Sequence, residues 1–192
     1  SLRPNEEKLA FSVIFDMNEK GEVKNSRIKH TVIKSDRRFT YEEAQQVIET
    51  GEGDYKEEIL ELNKLAQILR KQRLAAGAID FDRIEVKFEI DETGKPLSVY
   101  FKESKEANKL IEEFMLLANR TVAETIGKVP KNKKAKVFPY RIHDLPDPDK
   151  LENLNWFINR FGYKIRTSGS KSEVSKSINR LLDDIKDKKE QN

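Results

Sequence analysis

The chain contains no cysteine among its 192 residues. Disulfide bonds and thiolate metal sites are therefore excluded, and the absence agrees with a reducing, cytoplasmic compartment. Long apolar runs are absent as well. No run is long enough to span a membrane, and the first residues lack the pattern of a signal peptide. We therefore expect a cytoplasmic protein without a membrane partner.

Apolar residues are scarce and charged residues are abundant. Hydrophobic residues make up 36% of the chain and charged residues 37%, against about 25% charged residues in a typical globular domain. Opposite charges nearly cancel, and the net charge of +3 permits binding to a polyanion without requiring it. The low apolar content predicts a thin core, as expected for a piece of a larger domain. A start at Ser1 without methionine and a charged end at Asn192 agree with that expectation.

Two pairs of β-branched or alternating stretches predict two β-hairpins. The first pairs Leu9–Asp16 with Val23–Ile33 around a turn at Gly21, and the second pairs Ile84–Ile90 with Leu97–Phe101. A further short strand is a candidate at residues 138–142.

Capping residues and helical spacing predict a series of helices. Thr40 and Glu43 form the clearest start signal, a capping box. The helices should cover approximately residues 41–49, 55–75, 105–126, 150–161 and 173–185. Strand and helix do not alternate regularly, so we expect an α+β fold in which two β-hairpins pack with several helices and helix exceeds strand.

Apolar spacing also predicts the buried side of each long helix. In the helix near residues 55–75, the expected stripe is Leu62, Leu65, Ala66 and Leu69. In the helix near residues 105–126, it is Ile111, Phe114, Met115, Ala118 and Val122. At about 100° per residue, Glu113 should point away from this second stripe, and Glu112 should lie on its margin. A glutamate on a margin is most often a salt-bridge partner.

No complete catalytic motif is present. The sequence has no nucleotide-binding loop of the GxxxxGK[ST] or GxGxxG type, no HExxH, and no serine on a nucleophile elbow. His143, Asp144, Asp147 and Asp149 lie close together along the chain. Aspartates between prolines are typical of turns and helix starts, and we favour that interpretation over a metal site.

A basic loop at Lys128–Lys136 is followed by Phe138, Tyr140 and Arg141. Lysines there could neutralise phosphates while an aromatic ring stacks on a base. A solvated loop is the simpler interpretation, and we favour it over contact with nucleic acid.

Several strings together resemble one protein family, the RNB-type 3′→5′ exoribonucleases, and among its branches the ribonuclease R branch most of all. They occur in the family's order and cover about residues 1–154. The strings are Ser1–Asn5 with Leu9–Ser12, Asp36–Ala44, Gly77–Phe81, Ile111–Asn119 and Tyr140–Asp144.

The resemblance implies an enzyme that degrades single-stranded RNA processively from its 3′ end and releases nucleoside 5′-monophosphates with the help of magnesium. The family holds the metal with an aspartate cluster in an Arg-Asp-Phe-Asp-Asp context, and it uses an arginine in a Ser-Pro-Ile-Arg-Arg-Tyr motif. Neither string is present, so we expect no catalytic residue and no metal ligand in this chain. Residues 1–165 should be the central part of the RNB catalytic domain. Residues 166–192 should be a linker and a helix that continue into the rest of it.

Three residues match positions that contact RNA in the family. The resemblance places Tyr41 near the 3′ nucleotide, Glu112 at the ribose, and Phe81 in a stack with the inner end of the bound RNA. Two alternatives remain open: a non-enzymatic RNA-binding module with Tyr41, Phe81 and the lysine loop as its surface, and a structural or interaction domain. No small-molecule cofactor is expected, and the sequence leaves the oligomeric state open.

Overall fold

The computed structural model describes residues 2–79, 84–130, 132–134, 136–142, 146–186 and 188. The described residues form four strands and five helices, with more helix than strand. In chain order they are β1 (Glu7–Met17), β2 (Val23–Lys34), α1 (Tyr41–Thr50), α2 (Lys56–Ala75), β3 (Ile84–Ile90), β4 (Pro96–Glu103), α3 (Glu106–Gly127), α4 (Pro148–Asn159) and α5 (Lys171–Ile185). The predicted α+β class, with two hairpins and more helix than strand, is confirmed.

The chain divides into two compact units. The first consists of Ser1–Arg70 with Ser104–Pro139, and the second of Lys71–Glu103 with Tyr140–Asn192. Each unit contains one hairpin. The division of the sequence at residue 165 stays a prediction.

Strands β1 and β2 form the antiparallel hairpin of the first unit. The side-chain oxygen of Asn18 accepts the backbone N–H groups of Lys20 and Glu22, and Gly21 takes a φ of 72°. Such a positive φ is easily reached only by glycine, so Asn18 and Gly21 together set the turn that the sequence predicts.

Strands β3 and β4 form the hairpin of the second unit, with Phe88 opposite Val99 and Val86 opposite Phe101. The Asp91 carboxylate accepts the backbone N–H groups of Thr93 and Lys95 and so closes the turn. Alternation of apolar and charged residues along β3 is typical of a half-buried strand, but the apolar side of this hairpin is exposed, with Phe88 at 58% and Phe101 at 70%.

The candidate strand at residues 138–142 is wrong. This segment has no regular secondary structure. Pro139 lacks a backbone N–H and therefore cannot donate to a strand ladder, which disfavours pairing.

Helix α2 buries part of the expected stripe, with Ala66 buried and Leu65 and Leu69 half-buried, but its buried side also reaches a polar residue. Asn63 and Ala66 are its buried residues, and Leu62 is 41% exposed. The oxygen of the Asn63 side chain is buried without a hydrogen-bond partner. The prediction placed only apolar residues on the buried side of α2, whereas the Asn63 amide also lies there.

Helices α4 and α5 share the core of the second unit. Ile158 and Ile165 pack with Leu181, which lies on α5. The Asn155 side chain accepts the backbone N–H of Ile165, and Ser170 caps α5 in a capping box with Glu173. Loop 160–170 is thereby fixed to both helices.

Candidate functional site

Tyr41 is the first residue of α1, and a capping box fixes the start of this helix. The Thr40 hydroxyl accepts the backbone N–H of Glu43 at 3.2 Å, and the Glu43 carboxylate accepts the backbone N–H of Thr40 at 2.8 Å. The hydrogen bond from the Thr40 backbone N–H is the main cause that lowers the pKa of Glu43, and the Arg37 guanidinium lowers this pKa further. Tyr41 is 43% exposed. Its backbone position is therefore set while its ring stays accessible.

The segment that leads to Tyr41 is also held in place. The Arg37 guanidinium lies 4.7 Å from the centre of the Phe39 ring and pairs with Glu43 at 3.2 Å and Asp54 at 3.1 Å. The Phe39 ring in turn meets Tyr55 edge-on, with 6.2 Å between ring centres. These contacts tie the approach to α1 to the start of α2.

Gln45 joins α1 to α3, and the sequence analysis missed it. Its side-chain oxygen accepts the backbone N–H of Ala107 at 3.0 Å, and its side-chain nitrogen donates to Glu49 at 2.8 Å. The first N–H groups of any helix lack partners within that helix, so Gln45 satisfies one of those in α3. Gln45 lies one helical turn after Tyr41. In the sequence, only this spacing could have indicated that Gln45 contributes to the site.

Helix α3 is rotated relative to the prediction. Its buried residues are Ala107, Leu110 and Glu113, whereas Ile111 and Met115 are 51% and 54% exposed. Glu113, expected to point away from the buried side, is only 4% exposed. Helix α1 packs against the side of α3 that carries the small Ala107 side chain. Ile111 and Met115 lie on a different side of α3 and remain exposed.

Glu112 is exposed, since neighbouring helical residues differ by about 100° in direction. Tyr41 and Glu112 thus lie on two helices that pack together within one compact unit, and both side chains reach the surface. Phe81, His143 and Asp144 lie outside the described residues.

The aspartates after residue 146 behave as helix-start residues. Asp147 is the N-cap of α4, and its carboxylate accepts the backbone N–H of Asp149 at 3.0 Å. Within the residues that the structure describes, no three histidine, aspartate or glutamate side chains gather closely enough to hold a metal ion.

In the basic loop, Lys128 pairs with Glu124 at 3.1 Å. Arg120 and Lys128 together lower the pKa of Glu124, the Arg120 hydrogen bond contributing most. Lys133, Lys134 and Lys136 are exposed.

Among the described helices, none has both the length and the apolar character needed to cross a membrane.

The sequence matches the RNB domain family over residues 1–192. The chain belongs to the RNB family. It is 34% identical over 200 residues to ribonuclease R of Aquifex aeolicus, a match that covers 100% of this chain and 27% of that protein. It is 29% identical over 204 residues to a protein of Arabidopsis thaliana named inactive exonuclease DIS3L2, covering 97% and 19% of the two chains.

The fold is similar to that of a solved structure, ribonuclease R of Mycoplasma genitalium in complex with ribose-methylated single-stranded RNA. The TM-score is 0.82 at 23% identity, and the match covers 100% of this chain and 30% of that one. At this identity the likeness shows the fold alone. The RNB chain described here spans under a third of the length of these relatives. The resemblance drawn from the five strings is confirmed at the level of the family.

Proposed function

We propose that the protein containing this chain is a processive 3′→5′ exoribonuclease that hydrolyses single-stranded RNA to nucleoside 5′-monophosphates. The observation that carries the proposal is the match of the entire chain to the RNB family. The role of this chain is to hold the sugar at the 3′ end of the strand, with Glu112 and Tyr41 as the contacting side chains.

The proposed role of Glu112 follows from the chemistry of ribose. A 2′-hydroxyl both donates and accepts hydrogen bonds, and it is the group by which a protein distinguishes RNA from DNA. An ionised carboxylate is an acceptor with two oxygens. The exposed Glu112 can therefore accept a hydrogen bond from the 2′-hydroxyl, a bond that DNA is unable to form.

Tyr41 is proposed to fix the register of the strand. A phenol hydrogen-bonds to sugar or phosphate oxygens without reading the base, as an enzyme that digests any sequence requires. The capping box before Tyr41 and the Gln45–Ala107 bond between α1 and α3 hold the backbones of both helices. Phe81 would add a flat surface for stacking that is indifferent to base identity.

The described residues do not fit a magnesium site, because no group of potential ligands converges among them. We therefore assign magnesium, which the family resemblance implies, to residues elsewhere in the longer protein. Magnesium would polarise the phosphoryl oxygen and supply hydroxide. We accordingly propose that this chain alone is inactive, and that the full protein works in the cytoplasm.

The test uses the full-length protein with magnesium and a 5′-labelled single-stranded oligoribonucleotide. We expect the labelled strand to be converted from its 3′ end to a short labelled product without accumulation of intermediate lengths, with nucleoside 5′-monophosphates identified by chromatography. A circular RNA of the same sequence is the matched control and should remain intact. Shortening from the 5′ end, or cleavage of the circle, would contradict the proposal.

A second candidate is a non-catalytic RNA-binding protein. The similarity to a relative named an inactive exonuclease favours it, because membership of the family does not by itself secure activity. Binding of the same oligonucleotide without any shortening would identify this second function.

A further inference from the structure

We propose that the second unit carries a separate contact for single-stranded RNA, formed by exposed aromatic and basic side chains of α4, α5 and the loop between them. We call it the α4–α5 surface. It consists of Trp156, Arg160, Phe161, Lys164, Arg166 and Arg180. The proposal goes beyond Tyr41 and Glu112, and it rests on the proposed function only in taking RNA as the ligand.

The first observation is a strong concentration of charge. The thirty residues from Asn153 to Leu182 contain six basic residues and one acidic residue, Glu173, which gives a net charge of +5. The other acidic residues of α4 and α5 lie at the outer ends of the two helices, so residues 148–185 together carry +2 of the chain's net charge of +3. Basic charge gathered on one part of a nearly neutral chain is the electrostatic footprint of a polyanion site.

The second observation is a large aromatic side chain that faces water. Trp156 is the single tryptophan of the chain and is 68% exposed. The Arg160 guanidinium, one helical turn later, lies 5.9 Å from the centre of a Trp156 ring. An indole beside a guanidinium suits a nucleotide, because the ring stacks on the base while the cation pairs with the phosphate.

More aromatic surface adjoins this pair. The rings of Phe157 and Phe161 are also exposed and meet edge-on, with 5.5 Å between their centres. The two members of each pair, Trp156 with Arg160 and Phe157 with Phe161, are four residues apart. The pairs therefore form two neighbouring rows on α4 and the turn that follows it. A strand of unpaired bases could therefore stack along an extended surface.

The third observation is an open pocket whose lining begins at Gly162, the residue after Phe161 in the chain. It has a volume of about 420 Å³, and its charged lining residues are Lys164, Arg166, Arg180 and Asp184. Arg166 is held by Glu173 at 2.9 Å. The Arg180 guanidinium lies 4.0 Å from Asp184, beyond hydrogen-bond distance, and its side chain is 86% exposed. Arg180 is therefore able to turn towards a phosphate without breaking a hydrogen bond to Asp184.

The charge decides the class of ligand. An apolar protein partner would cover the aromatic rings but would leave the basic residues without counter-charges. A single RNA strand provides bases for the rings and phosphates for Arg160, Lys164 and Arg180. Since neither kind of contact depends on base identity, the α4–α5 surface should bind RNA of any sequence.

Trp156 provides the readout, because all tryptophan fluorescence of the chain comes from it. We expect saturating oligo(rA) to quench this emission in the 192-residue chain. Inorganic polyphosphate has no bases, so it should bind the cations and leave the emission nearly unchanged. Equal quenching by both polyanions would reject stacking on Trp156.

Affinity is measured separately by the fluorescence anisotropy of labelled oligo(rA). Trp156→Ala should weaken binding by roughly ten- to a hundredfold, as expected for one base stack, and Trp156→Phe should recover part of the loss. The double variant Arg160→Gln/Arg180→Gln should flatten the dependence of log affinity on log salt by about 1.4, since each phosphate contact on a single strand contributes about 0.7. Arg27→Gln/Arg120→Gln removes two charges from the first unit and is the matched control.

Beyond equal quenching, three outcomes of the RNA titrations would overturn the proposal. They are binding without quenching, equal effects of the Arg27/Arg120 and Arg160/Arg180 changes, and no binding at about 10⁻⁴ M, the weak end of non-specific affinity. Self-association of the chain that buries Trp156 in the absence of RNA would indicate a protein interface instead. None of these outcomes bears on the 3′→5′ polarity of the full-length protein, so the two proposals fail separately.

Discussion

The side-chain oxygen of Gln45 accepts the backbone N–H of Ala107 at 3.0 Å. This bond joins α1, which begins with Tyr41, to the first turn of α3, which carries Glu112 five residues later. The buried Gln45 side chain therefore helps to set the relative placement of the two helices that carry the proposed sugar contacts, Tyr41 and Glu112.

Gln45→Leu should destabilise the junction of α1 and α3. It leaves the buried N–H of Ala107 without a partner, which costs about 1–3 kcal/mol. Hydrogen exchange of the Ala107 amide, followed by NMR, measures this locally, and it should become faster. Gln46→Leu is the matched control, because Gln46 is exposed one position further along α1. Equal acceleration in both variants would show that the Gln45 bond contributes little.

Glu112→Ala in the full-length enzyme should reduce discrimination against DNA more than it slows RNA cleavage. A hydrogen bond to a charged acceptor contributes about 1.5–3 kcal/mol, or roughly ten- to a hundredfold in the RNA-to-DNA ratio. The measurement is cleavage of matched RNA and DNA oligomers.

The control for that experiment follows from the rotation of α3. Glu113 is buried, so Glu113→Ala would disturb packing, whereas Glu113→Gln keeps the shape. We expect Glu113→Gln to leave the RNA-to-DNA ratio unchanged. An unchanged ratio in Glu112→Ala, or the same change in both variants, would defeat the assignment of Glu112.

The capping box should make the stability of α1 depend on pH. Hydrogen bonds from Thr40 hold the pKa of Glu43 below its ordinary value of 4.5. A lowered folded-state pKa means that the stabilisation is fully present above about pH 4.5. It is lost as pH falls through the folded-state pKa. Helix content between pH 7 and pH 2.5, followed by circular dichroism, should therefore fall less steeply in Glu43→Gln. Glu42→Gln, outside the box, should keep the steep fall of the parent chain, and a Glu43→Gln profile identical to it would refute the prediction.

The 192-residue chain alone, with magnesium and single-stranded RNA, should show no processive degradation. Its sequence lacks the family's aspartate cluster, and its described residues do not assemble a metal site. Time-resolved gels with the full-length protein as positive control test this. Release of 5′-mononucleotides by the pure chain would be evidence against it.

Local signals in the sequence predicted the elements of the fold well. Thr40 and Glu43 predicted the start of α1, and Gly21 predicted the first turn, because each of these features depends on residues close in the chain. The rotation of α3 was wrong, and that of α2 was only partly right, with Ala66 buried but Leu62 exposed. The buried sides include Asn63 and Glu113, and no count of apolar spacing selects them. Tyr41 and Glu112 came from the resemblance to the family, since spacing alone did not distinguish them as functional.

The thin core has a consequence for how this chain responds to heat. Among the described residues only seven apolar side chains are buried, most of them medium-sized or small. The heat-capacity change of unfolding grows with the apolar area that becomes exposed to water. The RNB chain should therefore show a low, broad calorimetric transition, and its stability curve should be flat across the ordinary range of growth temperatures.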